Sequence, residues 1–144
     1  MLVLELCLLT VKYDNNQYWV LSDGAILIVN DNTDIAELFA AAVETEGFKT
    51  AVADNPSLAL GKIKDNPDEY SMVLIDRSSQ QDPDFPKQVK TINDQIKVLL
   101  ASGFAFNDDE ISNSGYDRFL QIPITMSELV STVREVLDSN ENSD

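Results

Sequence analysis

Residues 25–138 predict an α/β domain, a doubly wound parallel sheet of five strands preceded by a short N-terminal extension. Three observations predict it. Short apolar runs alternate with stretches of helical periodicity. Five such runs occur between residues 25 and 122. Most are continuously apolar rather than strictly alternating, which is the pattern of strands covered on both faces.

The first run, AILIVN (25–30), has strand length and ends in polar residues. TDIAELFAAAVETEG (33–47) follows as a helix, with Ile35, Leu38, Phe39, Ala42 and Val43 on one face. Thr33 or Asp34 is its expected N-cap and Gly47 its stop. FKTAVA (48–53) is the second strand. NPSLALGKIKDN (55–66) places Pro56 at a helix first position behind an Asn55 cap. SMVLID (71–76) is the third strand, and Phe85, Val89 and Ile92 give DFPKQVKTIND (84–94) helical spacing. IKVLLAS (96–102) is the fourth strand, and FNDDEISNSGY (106–116) holds at best a short helix. DRFLQI (117–122) is the fifth strand, closed by Pro123. The last helix, TMSELVSTVREVLDS (125–139), turns Met126, Leu129, Val130, Val133, Val136 and Leu137 inward, and a polar tail follows from residue 139.

A flavodoxin-like strand order, 2-1-3-4-5, is the expected topology. Ligands then bind beyond the carboxyl ends of the strands, where strand order reverses. Residues 1–24 read differently. LTVKYDNNQYWVLSDG has β-prone flanks around Asp14-Asn15-Asn16, which suggests a hairpin, with Tyr18 and Trp19 packing it onto the domain or marking a partner patch. The apolar opening MLVLELCLLTV contains Glu5, lacks a basic leader and is too short to span a bilayer, so core or edge structure is expected.

Composition narrows the function. The 144 residues suit one domain, and 44% apolar content suits a packed core. A net charge of -15, from 25 acidic and 10 basic side chains, argues against direct binding to nucleic acid or an anionic membrane. There is no histidine, which excludes His-based catalysis, His metal sites and a phosphohistidine carrier. The single cysteine, Cys7, can form neither an internal disulfide nor a zinc cluster, and a cytoplasmic location is expected.

Chemistry collects at the strand ends. The first strand delivers Asn30 and Asp31, the third Asp76, the fourth Ser102 and the fifth Gln121-Ile122-Pro123. If strands one and three are neighbours, Asp31 and Asp76 share a crevice. Two carboxylates with an amide and a main-chain carbonyl suit Mg²⁺, which keeps waters and accepts a phosphoryl oxygen. A carboxylate beside such a metal can act as a nucleophile toward phosphorus.

These residues carry a resemblance. ILIVNDN, MVLID, KVLLASG and FLQIPIT make residues 25–138 similar to the receiver domains of two-component response regulators. The resemblance implies Asp76 as phosphoacceptor and Asp31 as the principal acidic Mg²⁺ ligand. The Ser78 main-chain carbonyl is a further ligand, and Asn30 stands in for an acidic neighbour, acting through water. Ser102 falls at the switch hydroxyl and Phe119 at the switch aromatic. A histidine kinase or phosphotransfer protein is the implied donor. The output is implied to be a protein partner, with no enzymatic activity of the chain's own.

The departures are specific. Ile122 stands where the family has its lysine, so one contact to the phosphoryl group is lost. Asn30 lowers the charge of the metal site. RSSQQDPDFP replaces the usual loop after the acceptor, and Gly103–Asp117 is short for a fourth helix with its loops. The family's usual output face is therefore expected to be reshaped. Arg77 is read as a solvated loop residue in preference to a substitute for the lysine. Asp108, Asp109 and Glu110 are read as a solvated helix start, and Phe104 and Phe106 as packing residues. The alternative function is a phosphorylation-independent adaptor of the same fold. A flavin-binding protein is disfavoured because the strand-one exit lacks a glycine- or hydroxyl-rich phosphate cradle.

Overall fold

The structure, a computed structural model, describes residues 24–80 and 82–141. The expected hairpin, Cys7, Tyr18, Trp19 and the end of the polar tail lie outside the described residues. The chain alternates strand and helix: β1 (Ala25–Val29), α1 (Thr33–Glu44), β2 (Thr50–Ala53), α2 (Pro56–Asp65), β3 (Tyr70–Asp76), a 3₁₀ turn (Arg77–Ser79), α3 (Phe85–Ile92), β4 (Lys97–Ser102), α4 (Asp108–Asn113), β5 (Arg118–Gln121) and α5 (Met126–Glu141). All strand pairs are parallel, and the order is β2-β1-β3-β4-β5. Helix α5 continues three residues into the stretch read as polar tail.

The pleat sends alternate strand residues to opposite faces. Ile26, Ile28, Met72, Leu74 and Leu99 join Phe39, Val43, Leu129 and Val133 in a core beneath α1 and α5. Leu27, Val29, Val73, Ile75, Val98 and Leu100 join Ala59, Ile63, Phe85 and Val89 beneath α2 and α3. Both faces of β1, β3 and β4 are thus covered, which accounts for their unbroken apolar sequence. Each fully buried large aliphatic side chain contributes about 1.5–3 kcal/mol through loss of apolar surface to water.

Helix α1 buries Phe39, Ala42 and Val43 of its expected face, but not the other two residues. Ile35 and Leu38 are 41% and 55% exposed, while Ala36, Phe39, Ala40 and Val43 are buried. The small side chains at 36 and 40 let the helix approach the sheet closely, so the buried stripe is set by fit rather than by residue size. Its cap is also different. Asn32 Oδ1 accepts from the Ile35 amide at 3.2 Å, one residue before the expected Thr33 or Asp34. Helix α2 starts as expected, with Asn55 Oδ1 accepting from the Leu58 amide at 2.9 Å and Pro56 at the first position. Met126, at the start of α5, is 37% exposed rather than turned inward.

The entry to β1 requires glycine. Gly24 has φ +99°, and a Cβ there would lie 2.7 Å from the Glu69 carbonyl oxygen, which accepts from the Ala25 amide at 2.8 Å.

Candidate functional site

The adjacency of β1 and β3 brings their exits together. Val29 pairs with Ile75, so Asn30 leaves β1 alongside Asp76. On the other side Asp76 pairs with Ala101, which puts Ser102 at the neighbouring exit of β4. The loops after β1 and β3 are joined directly, because the Asp31 amide donates to Ser79 Oγ at 3.0 Å. Ser79 is 4% exposed and was not singled out from sequence. Nothing local marks it, since its partner is 48 residues away.

Asp76 is half-buried. Its Oδ2 accepts from the Ser78 amide at 2.9 Å and from the Ser78 hydroxyl, which fixes the carboxylate against the 3₁₀ turn. Among the described residues, Asp76 forms no ion pair. Asp31 is exposed at the mouth of the crevice. Asn30 is 3% exposed, and its Oδ1 accepts from the Asn32 amide at 2.9 Å. That oxygen already holds the turn entering α1 and keeps one lone pair.

No cluster of three or more acidic, histidine or cysteine side chains suited to a metal occurs among the described residues. The hard oxygens available are the carboxylates of Asp31 and Asp76 and the Ser78 carbonyl. That all-oxygen set suits a hard cation such as Mg²⁺, which is commonly held by one or two carboxylates with several waters retained.

Ser102 is 1% exposed, and its Oγ accepts two hydrogen bonds, from Arg77 Nε at 2.9 Å and from the Phe104 amide at 2.9 Å. Arg77 is therefore not a solvated loop residue. Its Nη1 forms an ion pair with Glu110, and its guanidinium carbon lies 5.0 Å from the centre of the Phe106 ring. Its Nη2 is buried without a hydrogen-bond partner. Glu110, read as part of a solvated helix start, instead closes this cluster. Hydrogen bonding from Arg77 holds its carboxyl below the usual carboxylate range. The same side chain accepts from the Asn107 amide at 3.3 Å, while Asn107 Oδ1 accepts from the Glu110 amide at 2.8 Å. This reciprocal pair is a capping box, and Asn107-x-x-Glu110 was its sequence signal.

Phe119 is half-buried. Its ring centre is 4.8 Å from that of Phe106 and 5.9 Å from that of Tyr116. Tyr116 is buried, and its hydroxyl meets the Gln80 side chain. Burial pushes that phenol up to about 12. Phe106 packs as expected, but Phe104 is 77% exposed and packs nothing. Ile122 is half-buried, and its amide donates to the Ser102 carbonyl at 2.8 Å. Its side chain brings no charge to this end of the sheet, and the cation beside Ser102 is Arg77, from the 3₁₀ turn after β3.

No family model matches the sequence. Over 116 residues, 78% of this chain, it is 28% identical to the transcriptional regulatory protein ZraR of Klebsiella oxytoca, covering 26% of that protein. The chain thus spans about a quarter of the length of that relative. The fold matches a CheY-like response regulator receiver domain from Methanospirillum hungatei JF-1 with TM-score 0.74 at 22% identity, covering 84% of this chain and 98% of the other. It matches the receiver domain of NtrX from Brucella abortus with TM-score 0.69 at 25% identity, covering 79% of this chain and 98% of the other. The fold is that of response-regulator receiver domains, and the sequence is similar to response regulators over most of the described residues.

Proposed function

We propose that this chain acts in phosphorelay signalling by accepting a phosphoryl group on Asp76 from a histidine kinase or phosphotransfer protein. The observation that carries the proposal is the state of Asp76. It ends the central strand with Oδ2 tied to Ser78, and Oδ1 makes no hydrogen bond or ion pair among the described residues. A carboxylate fixed by one oxygen presents the other as a nucleophile in a set direction.

In the transfer, Asp76 Oδ1 forms a bond to phosphorus. The bond from phosphorus to the donor nitrogen breaks, and its electron pair leaves with the imidazole. Asp31, Asp76 and the Ser78 carbonyl would hold Mg²⁺, with Asn30 reaching it through water. When bound, the ion supplies charge neutralisation between the carboxylate and the incoming phosphoryl group. Ser102 donates its hydroxyl proton toward the phosphoryl oxygens, and Phe119 follows by repacking against Phe106 and Tyr116. The output is contact with a protein partner. No helix among the described residues is long and apolar enough to cross a membrane.

Incubation with acetyl phosphate and Mg²⁺, followed by intact mass measurement, tests the proposal. One added phosphoryl group is expected in the wild type and none in Asp76→Asn. An unchanged wild-type mass, or a gain that survives Asp76→Asn, refutes it. One observation favours a second reading as a phosphorylation-independent adaptor: the apolar Ile122 at the exit of β5. Absence of amide shifts near Asp31 and Asp76 at millimolar Mg²⁺ would select it.

A further inference from the structure

Arg77 occupies a position that neither a solvated loop residue nor a simple structural anchor explains. It follows Asp76 directly in the chain, and its Nε donates to the hydroxyl of Ser102 at 2.9 Å. Ser102 Oγ already accepts a second hydrogen bond from the Phe104 amide. A hydroxyl has two acceptor sites and one proton. With both acceptor sites used, Ser102 has only its proton left to give, and a phosphoryl oxygen on Asp76 would be an acceptor for it.

The guanidinium is itself incompletely satisfied. It has five N–H donors in a fixed fork. Nε is used by Ser102 and Nη1 faces Glu110, but Nη2 is buried and makes no hydrogen bond. A buried donor without a partner is costly, and more so when it carries charge. The carboxylate that holds this group belongs to α4, a six-residue helix with no buried residue. Besides its capping box, α4 is tied to the sheet end through Glu110 and Arg77.

We propose that Arg77 is a transferable cation, held by Glu110 in the unphosphorylated protein and drawn to the phosphoryl group once Asp76 carries one, so that α4 is released. This rests on Asp76 being the phosphoacceptor. A phosphoryl group brings about -1.5 to -2 charges and three strong acceptor oxygens, against a single charge on Glu110. Its oxygens match both the free proton of Ser102 and the unpaired Nη2. The guanidinium already sits at the exit of β4, beside the exit of β3 that carries Asp76, through its hydrogen bond to Ser102. The contact that Ile122 omits is thereby supplied from the turn after β3, and it is coupled to α4 rather than to β5.

The two ends of the ion pair give opposite predictions, which a merely structural bridge does not. Removing Arg77 removes the cation from the phosphoryl site. Removing the charge of Glu110 frees that cation for it. The probe is beryllium fluoride with Mg²⁺, a mimic of a phosphoryl group on a carboxylate, titrated against the full chain and followed by amide shifts. Arg77→Gln is expected to weaken binding about tenfold, the scale of one charge-assisted hydrogen bond. Glu110→Gln is expected to tighten it several-fold, and Arg77→Lys to lie between wild type and Arg77→Gln. In the wild type, amides of α4 shift on binding together with those around Asp76.

Equal affinities across the four proteins, or a change of the same sign in Arg77→Gln and Glu110→Gln, overturns the transfer of Arg77 while leaving Asp76 as acceptor. If the wild type itself does not bind the probe, the acceptor role of Asp76 falls, and the transfer with it. Circular dichroism verifies folding. Should Arg77→Gln fail to fold, the opposed signs of Glu110→Gln and Arg77→Lys decide.

Discussion

Helices α5 and α4 are held to the domain in contrary ways. Helix α5 buries Leu129, Val133 and Val136 against β1, β3 and β4, alongside Phe39 and Val43 of α1. Helix α4 buries nothing and leaves Ile111 52% exposed. Its attachments are polar: a capping box from Asn107 and the ion pair from Glu110 to Arg77. Apolar burial is non-directional and has no competing partner within the crevice. An ion pair can be exchanged for a better anion. The contrast separates a part of the molecule built to stay from a part built to be let go.

The largest effect is expected where the contrast is sharpest. Leu129→Ala should destabilise the whole domain by about 2–5 kcal/mol, since a fully buried leucine leaves both lost transfer energy and a cavity. Denaturant unfolding measures it, and a loss confined to α5 would show that this face is less cooperative than its packing implies. Asn107→Ala should cost about 1 kcal/mol, as a lost N-cap typically does. The loss should appear as faster amide exchange in α4, with the global midpoint little changed. Global unfolding of the same size as the cap loss would make α4 part of the core unit.

The smallest expected effect is that of acid. The Glu110 carboxyl titrates below its ordinary value of 4.5 in the folded chain, chiefly through its hydrogen bond from Arg77. A carboxyl lowered on folding adds stability at every pH above the unfolded value, and that stability is lost as pH falls through the folded value. Exchange in α4 should therefore rise on acidification below the ordinary carboxylate range, while the Leu129 core, which has no titrating group, stays protected. Arg77→Gln should remove this pH dependence.

The same division explains what could be read from sequence. Strands β1, β3 and β4 were readable because burial on both faces writes itself into AILIV, MVLI and VLLA. Pro56 and Asn55 marked the start of α2 through local chemistry alone. The buried face of α1 was partly misjudged because large apolar residues outweighed the alanines that decide how closely a helix can pack. The exits of β1 and β3 could be paired once the strand order was inferred. The Arg77 cluster could not, because its partners lie 25 residues away at Ser102 and farther still at Glu110. No periodicity connects them, and the charge run around Glu110 reads as solvated unless the capping box is noticed first.

The place of Arg77 in the chain has one more consequence. In the unfolded polypeptide its nearest carboxylate along the chain is that of Asp76, one peptide bond away. Folding turns the guanidinium toward Glu110, a residue close to it only in the native state. Assembly of the domain thus pairs this cation with Glu110 and not with Asp76. Folding leaves that carboxylate with Ser78 as its hydrogen-bond partner and with no cation paired to it among the described residues.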